Sequence, residues 1–257
     1  MRNPICVSVF SGVIVGAFCL PVEADGEVLS DDLRRGREVY LEHCAGCHGV
    51  GGDGKGADRI LDSIRPPNFT TGDVRYKSTP AAAPPTDLDL SVTIARGVPR
   101  SSMPHHNFLG EAERRAVVRY VSGFFPEWSE NETAEPVELP PKPKYFTSAS
   151  VTRGRQVYDL LGCADCHGPD GTGSGSAAGE LPPNSRGIRQ SPIDLNRTAL
   201  KAGGRMGDIF RTLVIGLNGT AMEPYASQLL QPDGKLLQEY DGWYLVYYLR
   251  GLKQSGM

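Results

Sequence analysis

Cys44-Ala-Gly-Cys47-His48 and Cys163-Ala-Asp-Cys166-His167 are two complete copies of C-x-x-C-H. This is the pattern by which a porphyrin is attached covalently to a chain. On a helical turn, residues three and four apart share a face. Two thiols so spaced can each bond one vinyl group of a single porphyrin, while the histidine that follows offers its imidazole to the iron. A single C-x-x-C would equally suit half of a zinc site or a redox disulfide. Two copies, each with its histidine, leave those readings little room.

The elements around the motifs repeat with them. Cys163 follows Cys44 by 119 residues and Met222 follows Met103 by the same 119, so each motif histidine precedes a methionine by 55 residues. Gly36-Arg37-Glu38-Val39-Tyr40 before the first motif returns as Gly154-Arg155-Gln156-Val157-Tyr158 before the second, and Gly97 returns as Gly216. The chain therefore uses one fold twice. Met206, which precedes an apolar run of helical spacing, reads as core.

With these motifs the sequence resembles the class I cytochromes c in their two-domain dihaem form, a cytochrome c4-like arrangement, over residues 27–252. The resemblance implies an all-α fold: two tandem domains, each a small helical unit wrapped around a covalently attached haem. It implies two haem c groups, attached through Cys44 and Cys47 and through Cys163 and Cys166. It also implies iron ligation by His48 and Met103 in the first half and by His167 and Met222 in the second. "GVPRSSMP", residues 97–104, keeps the Met-Pro pair of such proteins, whereas "GLNGTAMEP", residues 216–224, places Glu223 between Met222 and Pro224. Pointed inward, that carboxylate would favour ferric iron and make the second haem the lower-potential one. His105 and His106 are rival ligands to Met103. His43, beside the first motif, reads as a surface residue.

Length and composition agree with this plan. The 257 residues allow two ordinary domains, and a formal net charge of −3 gives no sign of a nucleic-acid partner. The 31 glycines and 20 prolines predict long irregular segments. Residues 1–24 read as an export signal: Arg2, the apolar run Ile5 to Leu20, and a small-residue end with cleavage after Ala24. The run is shorter than the roughly 20 residues a membrane-spanning helix needs. Retention as an anchor and lipid modification at Cys19 are the alternatives. Cleavage removes Cys6 and Cys19, leaving only the four motif cysteines. The expected product is periplasmic, with no membrane span in the mature chain.

Residues 25–126 and 148–257 are read as the two cytochrome domains, and residues 127–147, rich in Pro and Glu, as a solvated, semi-rigid linker. Ser30 reads as the cap of a helix running into Cys44. Ala112, Ala116, Val117, Tyr120, Val121 and Phe124 keep a helical period, and the resemblance has this helix cross the first at Gly36, with Tyr120 packed there. In the second half, helices are expected from about Ser150 to Leu161 and from about Pro232 to Leu252. "GVGGDGKG", residues 49–56, falls short of a phosphate-binding loop, because Gly56 stands where Ser or Thr would coordinate magnesium. With "GPDGTGSG", residues 168–175, it reads as chain bending around a haem edge. The proline-bearing segments at residues 65–72 and 191–196 read as walls of the same site.

Axial His and Met fill both free positions of a haem iron and raise its potential relative to His/His. The chemistry expected is single-electron transfer between respiratory redox proteins, with no catalytic residue. A subunit of a larger oxidoreductase is the first alternative. A dihaem peroxidase or thiosulfate dehydrogenase is the second; the equal His-to-Met spacings argue against the former and the lack of a spare cysteine against the latter.

Overall fold

The computed structural model describes residues 30–58, 65–130, 135–197 and 199–255; the export signal, Cys6 and Cys19 lie outside them. Among the described residues the regular elements are all helical. Helix α1 (Asp31–His43) begins where Ser30 accepts from Leu33 N, with Asp31 and Asp32 in its first turn. Next come the one-turn α2 (Ala45–His48), a 3-10 turn at Phe69–Thr71, α3 (Asp87–Arg96), α4 (Glu111–Ser122) and α5 (Pro126–Glu130). In the second half α6 (Ser148–Leu160), α7 (Cys163–His167), α8 (Met206–Ile215) and α10 (Asp241–Ser255) correspond to α1, α2, α3 and α4, with the short α9 (Ala226–Leu230) added before α10.

Each half is built on one helix crossing, and a glycine permits it. A Cβ on Gly36 would lie 2.1 Å from Ala116 O and 2.9 Å from Tyr120 Cβ, so α1 lies directly on the backbone of α4. A Cβ on Gly154 would lie 2.1 Å from Tyr244 O and 2.8 Å from Tyr248 Cβ, so α6 lies on α10 in the same way. An aromatic pair flanks each crossing: Tyr40 with Tyr120 at 5.4 Å between ring centroids, and Tyr158 with Tyr248 at 5.6 Å. The hydroxyls of Tyr40 and Tyr158 reach past the crossing to the motif and donate to Gly49 O and Gly168 O, both at 2.7 Å. The crossing therefore fixes where each C-x-x-C-H turn sits. Tyr158→Phe should cost about 1–2 kcal/mol, because it leaves the Gly168 carbonyl without this donor inside the protein. Denaturant unfolding of the holoprotein measures it.

Two separate cores result. The first gathers Val39, Val117, Val118, Val121, Leu90 and Phe69 around Tyr40. The larger second core joins Val157, Phe210, Leu213, Val214, Leu245 and Val246, with Phe210 set edge-on against Trp243 at 4.6 Å. Met206 packs at the edge of this core. Arg153 of α6 holds Asp241, which is 2 % exposed, at the start of α10 through Nε at 2.9 Å.

Three features depart from the reading of the sequence. Helix α3 was unforeseen; Thr86 and Asp89 form a reciprocal capping box at its start. The last helix starts at Asp241 rather than near Pro232, because residues 232–240 fold into turns in which Asp233 accepts from Lys235 N and Leu236 N, both at 2.9 Å. The connector opens as the short helix α5 and is then anchored to both halves, although most of residues 135–147 are exposed. Val137 N donates to Ser78 O of the first half at 2.8 Å, and Pro140 O accepts from Trp243 Nε1 of the second at 3.0 Å. Val137, Leu139 and Phe146 pack against the second core.

Candidate haem sites

The same set of backbone hydrogen bonds builds both sites. After each motif the glycine-rich loop folds back over the short helix. Gly54 N donates to His48 O and Gly56 N to Cys47 O; Gly173 N donates to His167 O and Gly175 N to Cys166 O. Pro66 and Pro67 line the first site, and Pro192 and Ile193 line the second.

The methionine loops agree bond for bond. Val98 N to Met103 O is 3.2 Å, and Leu217 N to Met222 O is 2.9 Å. Ser101 Oγ accepts from Met103 N at 3.1 Å, as Thr220 Oγ1 does from Met222 N at 3.1 Å. Beyond the methionine, His106 N donates to Ile94 O and Tyr225 N to Leu213 O. Glu223 therefore occupies the place of Pro104 without altering the loop. It is exposed and absent from the site's lining, which removes the reason it offered for a lower second potential.

Arg100 has φ +56°, and its counterpart in the second half, 119 residues on, is Gly219 at φ +68°. A side chain in this left-handed region is disfavoured by about 1 kcal/mol. Arg100→Gly should therefore leave the first half as stable as before, or up to about 1 kcal/mol more stable; thermal unfolding reads the change.

The residues brought together match what the spacings anticipate. Cys44, Cys47, His48 and Met103 line one end of a cavity of about 580 Å³, and Cys163, Cys166, His167 and Met222 line the other. That the two ends are continuous was not legible in the sequence. The cavity walls are largely apolar, with Phe69, Leu90, Ile94, Leu195, Leu213 and Leu217 among them. His48 stacks on Phe69 at 4.8 Å, and its Nδ1 is buried with no protein partner. Burial, with the nearby charges of Arg186 and His106, pushes its pKa down to about 4. Burial also lowers His167, whose Nδ1 lies 3.4 Å from Ile193 O. Both imidazoles are thus held neutral, the state that binds a metal. Before attachment, burial raises the free Cys44 and Cys163 thiols to about 11.

His106 also lines the cavity, buried beside His43 and Phe108, whereas the ring of exposed His105 is engaged with Asn107 Oδ1 at 3.0 Å. His43 is half-buried and packs edge-on against Phe108 at 5.2 Å, not free on the surface.

An all-helical pair of modules, each presenting two thiols, a neutral imidazole and a thioether to an apolar cavity, defines a covalent haem protein. A cytochrome c family model matches residues 33–124 and 151–253, so the chain belongs to the cytochrome c family, as a dihaem class I member with two covalently bound haem c groups. Two curated relatives are subunits named CcoP of cbb3-type cytochrome c oxidases. The one from Azospirillum brasilense is 26% identical over 60% of this chain and 45% of its own length; the one from Azospirillum sp. (strain B510) is 27% identical over 85% and 64%. The chain thus spans about half to two thirds of these relatives. Among solved structures, a chain of a reducing HAO-like protein complex from Kuenenia stuttgartiensis superposes with a TM-score of 0.73 at 33% identity, over 85% of this chain and 95% of that one. Cytochrome c domains transfer electrons. Among the described residues no helix is long and apolar enough to cross a membrane.

Proposed function

We propose that this protein is an exported, periplasmic electron carrier that passes single electrons between respiratory redox proteins through two His/Met-ligated haems. Cys44 and Cys47 would hold the first haem, with His48 and Met103 as axial ligands. Cys163 and Cys166 would hold the second, with His167 and Met222. The observation that carries this reading is the duplicated His and Met arrangement lining one continuous cavity. Each haem would supply a one-electron couple, with a histidine and a methionine of this chain holding its iron. The chain contributes neutral imidazoles, thioethers placed by hydrogen-bonded loops, and an apolar wall that keeps water away. With both sites in one cavity, the chain can relay an electron internally rather than act as two unconnected carriers.

Purified holoprotein should hold two covalent haems, show the near-infrared sulfur-to-iron band from both, and bind carbon monoxide at neither. Ready CO binding at both irons would refute the ligand assignment. Cell fractionation with N-terminal sequencing beginning at Asp25 tests export. The relatives' names, an oxidase subunit and a component of a reducing HAO-like complex, favour a second reading in which the chain is held in a larger oxidoreductase. Stable co-purification with a catalytic subunit would select that reading; it changes the partners, not the haem chemistry.

A further inference from the structure

Five cationic side chains line the cavity, Arg65, Arg75, Arg186, Arg189 and Lys201, and Arg75, Arg186 and Lys201 lie where the two halves touch. No Asp or Glu is among the described lining residues. One carboxylate approaches from the edge: Asp73 Oδ2 accepts from Arg186 Nε at 2.7 Å, with the two side chains 15 % and 16 % exposed. Arg75 Nε is buried without a partner. Arg75, Arg186 and Lys201 are partly buried, whereas Arg65 and Arg189 are exposed; three partly buried cations with one counter-ion are unfavourable unless an anion completes the group.

Arg186 also crosses between the halves. It belongs to the second half, yet it donates to Arg65 O at 3.0 Å and to Asp73 O at 3.3 Å in the first. Arg96 of the first half returns the contact by donating to Lys201 O at 2.8 Å. Burial and the neighbouring guanidiniums push Arg75 and Lys201 below their ordinary pKa values, as expected where the cations lack anions.

We infer that this junction is a carboxylate-binding site for the propionate groups of the haems, with Arg186 of the second half clasping the haem of the first. Each haem c carries two such carboxylates, and a guanidinium recognises a carboxylate through paired N–H donors. The inference rests on the proposed placement of a haem at each end of the cavity. Two consequences follow. Docking of the two halves depends on the haems being present. The first haem, nearest Arg186, takes the higher potential, because an adjacent positive charge disfavours ferric iron.

The test is a spectroscopic redox titration of holoprotein from pH 5 to pH 9 for the wild type, Arg186→Gln, Arg186→Lys and Lys201→Gln, with the remote exposed Arg115→Gln as control. Haem counting and the near-infrared band of each protein come first, so that failure of the ligand reading is seen separately from failure of this one. The Met103→Ala protein marks which potential belongs to the first half. Arg186→Gln should lower the first potential more than the second and alter its pH dependence, with Arg186→Lys restoring part of the shift. Lys201→Gln removes only like-charge repulsion from Arg75 and Arg100 of the first half and so should not loosen the halves; it should also lower a potential even if Arg186→Gln fails to fold. Unchanged potentials and pH slopes in folded two-haem Arg186→Gln and Lys201→Gln proteins would overturn the inference. So would inorganic phosphate, added to the wild type, shifting the potentials as far as the substitutions do, since the cations would then serve a free anion.

Discussion

Gly154→Val is expected to yield a protein that assembles its first haem site and fails to assemble its second. The Cβ of residue 154 would sit 2.1 Å from the carbonyl oxygen of Tyr244 and 2.6 Å from its carbon, both backbone atoms that no rotamer change can move. Helices α6 and α10 would have to part by more than an ångström along their main contact. That separation would pull Tyr158 from Tyr248 and draw its hydroxyl from Gly168 O, the bond that seats the attachment turn. Inserting methylenes into a packed core costs about 1–3 kcal/mol even where side chains can yield. Against backbone the cost should exceed about 3 kcal/mol, a large part of a small domain's stability. Haem counting after purification and thermal unfolding by circular dichroism are the readouts. Gly251→Ala, on the same helix α10, introduces a Cβ with no heavy atom within 4 Å and should be neutral or slightly stabilising. A folded two-haem Gly154→Val protein would show that the crossing does not position the site.

Met222→Ala should open the second iron. The expected result is CO binding at one haem of two, loss of half the near-infrared band, and a fall in that haem's potential by roughly a tenth to a third of the ~0.8 V range that axial ligands span. The fold should survive, because Met222 is half-buried at the edge of the second core and its loop is held by backbone bonds from Leu217 N and by Thr220 Oγ1. Met206→Leu should change none of these properties. Met103→Ala carries more information at the first site, where His106 lines the same cavity. CO binding there assigns the iron to Met103. A His/His spectrum in Met103→Ala that excludes CO would show that His106 can reach the metal. A Met103→Ala protein spectroscopically identical to wild type would remove Met103 from the ligand set.

The two halves also differ where they touch. Arg186 has its partners in the first half, and Arg100 keeps a side chain where its counterpart Gly219 has none. The repeat thus preserves what each haem needs separately, while some of the departures from it lie at the contact between the halves.

Local chemistry and short-range geometry were legible in the residues themselves. C-x-x-C-H places its three side chains within about one turn of helix, so its meaning does not depend on what surrounds it. The repeated 55-residue interval from histidine to methionine pointed to Met103 and Met222, which line the same cavity as the motif histidines, and the family resemblance implied the helix crossing at Gly36 with Tyr120. Helix α3 could have been found from Thr86 and Asp89, a cap signal three residues apart, but its short amphipathic stretch lies among prolines. The direction of Glu223, the pinning of the connector by Ser78 and Trp243, and the meeting of both sites in one cationic cavity were decided only by tertiary structure. Each depends on residues far apart in sequence arriving at one place, Asp73 and Arg186 being 113 positions apart, and no local spacing encodes such a meeting.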